Sequence, residues 1–447
     1  MSISRNILLQ LITQVTGVIS GFLVSVITAR MLGTVGRGEF ALFITSLNFL
    51  STFFGISLNY SILYITSSQK FDLSKTLKTS FMMAFVLLAL CILLFMTEQF
   101  FNFHFFFQNK SFLVNMLLLF TFFQMLISGI LGGVMTGKLL FTPMQVSAVI
   151  VSILNIGLYA CYFLYMWKEI GDGISVRNFI VIYSAIAFIP MLVNVYLFLR
   201  LAMPKSTPGL LNFSQVKFIL SYAAVAYAAN VFLFFTAKMD FYLVDHFKGK
   251  GELGIYSLAV NLTRLIYLIP LGISSVMIAY NASDSLERVV NNINKLLRIS
   301  TLIILVACIV AYPIMDFFIT FSYGIDFARS AGVFKILLAG MIPLSAIQIL
   351  TSFFGGRAKL IHNLVAMIIL FGCTALFDYL LIPRYGITGA SWSSVFSYFA
   401  SFAYMVFVYR QMTISALSEM FYITTTDLQH LKLKMLDFVN LFRKKKS

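Results

Sequence analysis

The sequence predicts an all-α integral membrane protein, and three observations carry that prediction. Hydrophobic residues make up 60% of the 447-residue chain and charged residues 11%, with a mean hydropathy of +0.93; this is more apolar surface than a water-facing globule can hide. The apolar residues fall into runs of about 20, the length that crosses a hydrocarbon core roughly 30 Å thick. Only short charged or turn-forming segments separate the runs, which leaves no room for an ordinary soluble domain.

The runs give twelve expected spans: 7–30, 40–66, 79–97, 112–136, 143–167 and 179–200, then 217–245, 253–281, 296–321, 331–354, 361–382 and 389–410. With the N-terminus in the cytoplasm, inner segments hold about twice as many Lys and Arg as outer ones, so both termini are expected to be cytoplasmic. The formal charge of +16 is then explained by topology and not by nucleic acid. The opening MSISRNILLQLITQ continues into an apolar stretch longer than a signal peptide and lacks a small-residue cleavage site, which predicts a retained first span.

Between the sixth and seventh spans, RLAMPKSTPGLLNFSQVK carries Pro204, Pro208 and Gly209 with basic flanks and reads as a cytoplasmic linker. The expected organisation is a six-helix lobe over 1–203, a linker over 204–216, a second six-helix lobe over 217–411 and a basic amphipathic cytoplasmic tail over 412–447. In the tail Leu428, Leu431, Met435, Phe438 and Phe442 recur at helical spacing before RKKK, the pattern of a helix resting on anionic headgroups or of a partner-binding segment. A weak internal repeat agrees with two pseudo-symmetric lobes. At one constant offset Gly33 and Gly38 align with Gly249 and Gly254, and Phe40, Ala41 and Leu42 with Tyr256, Ser257 and Leu258. Repeated halves suit a transporter whose site opens to either side as one half rocks against the other.

Polar residues within the spans are the functional candidates. Gln10, Gln14, Gly17, Gly21, Ser25 and Thr28 follow at steps of three or four, placing small and polar side chains on one face that either packs on a neighbouring helix or lines a hydrated cavity. Gly129, Gly133 and Gly137 show the same spacing and predict close packing. A charge at a span centre costs about 2.5–3.5 kcal/mol on insertion scales, so such residues face protein or water. Arg264 lies midway along the eighth span, with Asn261 one turn before and Tyr267 three residues after. Its planar fork suits phosphate oxygens, the alternative being a structural pair with an aspartate.

Lys238 shares a helix face with Tyr227, Asn230 and Phe234 and either lines a cavity or pairs structurally, whereas Asp240 points to nearly the opposite face and leans structural. Arg30 and Arg37, with Glu39 beside them, run against the inner bias of basic residues, as groups collecting an anionic headgroup near an outer mouth would. Asp316, Asp378 and Asp240 are the candidates for coupling to H+ or Na+. The Phe-rich run EQFFNFHFFFQNK reads as an interfacial aromatic belt, and His104 within it is no catalyst. Cys91, Cys161, Cys308 and Cys373 lie in apolar runs without CxxC spacing or nearby histidines, so neither a metal nor a cofactor is expected. Walker, GxSxG and HExxH sequences are missing, and no expected outer loop could hold a catalytic domain, which disfavours enzymes.

The Ala29-Arg30, Leu32-Gly33 and Gly36-Arg37-Gly38-Glu39 sequence, Asp240 late in the seventh span, Gly254-x-Tyr256 and Pro383-x-x-Gly386-Ile387-x-Gly389-Ala390 together resemble the Wzx-type flippases of O-antigen and exopolysaccharide assembly. That family shares a superfamily with multidrug-and-toxin exporters and the lipid II flippase. The resemblance implies twelve helices in two lobes, alternating access and a cationic central cavity for an undecaprenyl-diphosphate-linked oligosaccharide. It also implies a bacterial cytoplasmic (inner) membrane location and partnership with a polysaccharide polymerase and a chain-length regulator. Arg264, Lys238 and Arg30 fit such a cavity by residue type and helix position, with Arg37, Asn261, Asn230, Gln14 and Tyr267 as further expected contacts. The rivals are a cation-coupled multidrug exporter of the same fold and, from a different class, a membrane polysaccharide polymerase.

Overall fold

The structure is a computed structural model describing residues 3–55, 58–68, 72–101, 111–138, 140–165, 175–203, 213–283, 285–357, 359–414 and 416–422. Residues 204–212 of the linker expected over 204–216, the tail beyond 422 and most of the Phe-rich run lie outside the described residues, while 213–216 already belong to a helix. In chain order the helices are α1 (Ile3–Phe53), α2 (Leu58–Ser68), α3 (Leu73–Phe100), α4 (Phe112–Gly137), α5 (Phe141–Tyr165), α6 (Val176–Leu201), α7 (Phe213–Lys248), α8 (Lys250–Ser283), α9 (Leu286–Tyr323), α10 (Arg329–Gly356), α11 (Leu360–Thr413) and α12 (Leu417–Phe421). No strand occurs among the described residues, and nine of their helices are long and apolar enough to cross a membrane.

Two of these helices are bent by glycine. Gly33 interrupts α1 at φ 63°, ψ −170°, and Gly386 interrupts α11 at φ 61°, ψ −137°. Side chains almost never occupy this part of backbone space, so only glycine turns the chain there without strain. Each bend falls between two expected spans. The expected span over 40–66 is not continuous: helix α1 ends at Phe53 and α2 starts at Leu58. Gly55 sits at this break, where a Cβ would stand 2.1 Å from the Ser51 carbonyl oxygen. Helix α9 begins well before the expected 296, because Val289, Ile293 and Leu297 recur at helical spacing and bury one face of the extension.

Residues Met1–Ser257 and Leu258–Ser447 form two compact units. In the first, α4 is the central helix, packed on α2, α3 and α6. A Cβ at Gly133 would lie 2.8 Å from the Asn59 carbonyl oxygen and one at Gly137 2.6 Å from Thr66 Cβ, so these glycines let α2 approach α4 as their spacing predicts. Helices α1 and α5 run parallel. Thr13 Oγ1 donates to the Gln145 carbonyl (3.3 Å) and Ser20 Oγ to the Ser152 carbonyl (3.2 Å), in the same register.

In the second unit α10 packs between α9 and α11, and its core holds Phe353, Phe354 and Tyr409. The Tyr409 hydroxyl donates to Asn294 Oδ1 at 2.9 Å, which satisfies both groups away from water. Outward faces are apolar, as at Phe85, Leu93 and Met96 of α3 and Ile309, Val310 and Phe317 of α9. This is the surface a bilayer solvates, and the chain is a multi-pass membrane protein.

Candidate functional site

The first unit brings the two copies of the internal repeat into contact. A Cβ built on Gly38 would stand 1.7 Å from the Lys250 carbonyl oxygen, and one on Gly254 would stand 2.0 Å from that of Thr34. Under the repeat's offset Gly38 corresponds to Gly254 and Thr34 to Lys250, so the two contacts are one contact applied twice, as a local two-fold axis requires. Gly249, the counterpart of Gly33, also has positive φ (82°). Lys250 Nζ donates to Glu39 Oε1 at 2.9 Å across this crossing. Farther along α1, Phe49 and Phe53 pack edge-on against Phe234 of α7, at 5.6 and 5.8 Å between centroids.

Beside the bend Arg37 is buried, and it donates through Nη1 to the Ser25 carbonyl (2.9 Å) and through Nη2 to Ser25 Oγ (3.0 Å). It thereby braces the two arms of α1 across Gly33. Arg30, one turn before the bend, is exposed. Gly17 and Gly21 on the polar face of α1 have nothing within 4 Å of an added Cβ, so this face is open at both positions. The side chains of Gln14 and Asn230 lie outside the described residues.

Lys238 is buried, with Nζ 4.0 Å from the Phe241 ring centroid. Asp240, also buried, accepts a 2.6 Å hydrogen bond from the Tyr256 hydroxyl and a 2.9 Å bond from the Phe241 backbone N–H. The sequence features Asp240 and Gly254-x-Tyr256 are thus two ends of one hydrogen bond.

In the second unit Arg264 is exposed on α8 together with Asn261, one turn earlier. Tyr267, half-buried on the next turn, donates to Gln348 Oε1 of α10 at 2.6 Å, and Gln348 Nε2 donates to Ser274 Oγ at 3.0 Å. Asp316 is exposed late in α9 and ion-paired with Lys335, whose Nζ also lies 4.9 Å from the Tyr312 ring centroid. Asp378 is fully buried in α11. Among the described residues no group of three His, Cys, Asp or Glu could hold a metal ion.

The sequence profile of the family described as "Polysaccharide biosynthesis protein" matches residues 3–278. The chain belongs to that family. No curated protein matches this family member in sequence. Among solved structures it is similar to the lipid II flippase MurJ in an inward closed conformation, with a TM-score of 0.69 and 15% identity over 91% of this chain and 87% of that one. It is also similar to an inward-facing multidrug resistance MATE transporter of the MOP superfamily, with a TM-score of 0.63 and 14% identity over 91% and 96%. A third match is a MOP-superfamily transporter from Pyrococcus furiosus, whose structure was described under a reversed polarity of its binding pocket. The TM-score there is 0.54, with 15% identity over 92% and 94%. At such identities the likeness establishes a shared fold. The structures so matched are those of a lipid II flippase and of transporters.

Sequence reasoning missed Gln348. The signal was the spacing of Ser345, Gln348 and Ser352 along one face of the mainly apolar α10, where both serines are fully buried.

Proposed function

We propose that this polysaccharide biosynthesis protein is a flippase. It carries an undecaprenyl-diphosphate-linked oligosaccharide from the cytoplasmic to the outer leaflet of a bacterial cytoplasmic membrane by alternating access. The observation that carries the reading is Arg264, exposed with Asn261 on an apolar helix. A guanidinium there is too costly to leave facing lipid, so it faces a watered cavity, and its fork matches diphosphate oxygens. Arg30 and Lys238 are further cationic candidates by residue type, and Arg37 acts through the α1 bend.

Twelve spans in two lobes with cytoplasmic termini remain the topology of this proposal. The bends at Gly33 and Gly386, each between two expected spans, support counting α1 and α11 as two crossings apiece. Transport draws on a Na+ or H+ gradient, with Asp378, fully buried within the apolar α11, as the coupling candidate tested first and Asp240 and Asp316 as the others. Replacing Asp378 by Asn removes the ionisable group at near-constant shape, and transport by D378N should then be indifferent to an imposed gradient. Gradient dependence like that of the unaltered protein would eliminate Asp378. A polymerase and a chain-length regulator are the partners that the exported repeat unit would meet next.

A second reading, a multidrug exporter, is favoured by the fold shared with the MATE structure. One experiment separates the two: delete the gene and identify the lipids that accumulate. Lipid-linked oligosaccharide retained on the cytoplasmic side supports the flippase, whereas unchanged glycan lipids with new sensitivity to lipophilic cations support the exporter.

A further inference from the structure

In the hydrogen-bond chain from Tyr267 through Gln348 to Ser274 the phenol stands as the donor and the serine hydroxyl as the acceptor. Gln348 reaches α8 with both ends of its amide: Oε1 accepts from Tyr267, and Nε2 donates to Ser274, two turns farther along the same face. The Tyr267 hydroxyl proton is therefore committed to the amide. What the phenol keeps is acceptor capacity, its oxygen lone pairs. Three residues earlier on the same helix stands Arg264, whose guanidinium has donors only. The two neighbours thus present opposite chemistry.

Interhelical glue alone does not explain the arrangement well. Hydrogen bonds between membrane helices are individually weak, and for that purpose a single Ser–Ser or Ser–carbonyl bond would serve. A glutamine held at both ends fixes instead the direction in which a half-buried tyrosine offers its oxygen.

We propose that Gln348 is a positioning residue that makes Tyr267 an acceptor for hydroxyl or amide N–H donors of the sugar next to the diphosphate, while Arg264 holds the diphosphate itself. This rests on the flippase reading above and deepens it: α8 reads the two parts of one headgroup with two kinds of group. Preference for a glycosylated carrier over the bare one comes from Tyr267 and Gln348, not from Arg264.

The test compares two probes on purified protein in lipid nanodiscs: undecaprenyl diphosphate carrying one N-acetylhexosamine, and bare undecaprenyl diphosphate. The readout is the ratio of their affinities, which a structural defect alone would not move. The unaltered protein should favour the sugar-bearing lipid. Tyr267→Phe and Gln348→Leu should each cut that preference by about three- to ten-fold, the range of one neutral hydrogen bond. Gln348→Glu, which keeps an acceptor for the tyrosine, should retain most of it, and Arg264→Ala should weaken both lipids together. If Tyr267→Phe and Gln348→Leu keep the full preference, this inference is overturned and the flippase reading stands. If the unaltered protein binds neither lipid, both fall.

Discussion

Glu39 and Lys250, on the two copies of the internal repeat, form an ion pair of 2.9 Å at the crossing where Gly38 admits the Lys250 carbonyl and Gly254 that of Thr34. Both side chains keep partial access to solvent, so the pair itself contributes only about 0.2–1 kcal/mol. Its interest lies in position: it ties the start of α8 to α1 just past the Gly33 bend. Under the alternating-access reading this crossing separates when the cavity opens to the side where the pair lies. In a background with the four native cysteines replaced by alanine, Glu39→Cys with Lys250→Cys joined by a short thiol cross-linker should arrest transport, and cleaving the link should restore it. Undiminished transport by the cross-linked protein would contradict this.

The glycines at the crossing are expected to tolerate no side chain. At Gly38 and Gly254 an added methyl would meet a backbone carbonyl within 2.0 Å, which no rotamer change relieves. Alanine at either position should destabilise by about 1–3 kcal/mol or more. Gly17→Ala and Gly21→Ala, which meet nothing within 4 Å, should be neutral or slightly stabilising through helix propensity. Thermal unfolding of the four variants in one detergent separates the two pairs.

Tyr256→Phe removes the 2.6 Å bond to the buried Asp240 carboxylate while keeping the ring packed on Phe241 at 5.7 Å. Leaving a buried acceptor short of a donor costs about 1–3 kcal/mol. The variant should lower the unfolding midpoint, and Asp240→Asn combined with it should lose less than the sum of the two single changes.

How much of this was legible in the sequence varies by feature. Period and apolarity located the helices well, and the bends at Gly33 and Gly386 fall in the gaps between expected spans, because a glycine between two apolar runs marks where a helix can turn. The break at Gly55 was hidden, since the run over 40–66 is apolar throughout and hydropathy does not register backbone geometry. The repeat was visible as Gly33 and Gly38 against Gly249 and Gly254, but not that the two copies touch, for sequence offset carries no information about distance. Asp240 and Tyr256 stood out separately, and their hydrogen bond appeared only with the fold. Arg264 was conspicuous as a charge in an apolar run, whereas Gln348, uncharged, was overlooked.

Arg264, exposed on α8, is proposed to face water and to hold the diphosphate of a lipid-linked glycan. The most direct test reconstitutes purified protein into vesicles containing undecaprenyl-diphosphate-linked oligosaccharide and follows the appearance of the glycan on the opposite leaflet with a lectin. The account predicts that the unaltered protein accelerates this movement and that Arg264→Ala, at equal protein level and equal thermal stability, abolishes most of it, with Arg264→Lys recovering only part. Equal rates for Arg264→Ala and the unaltered protein would contradict the account.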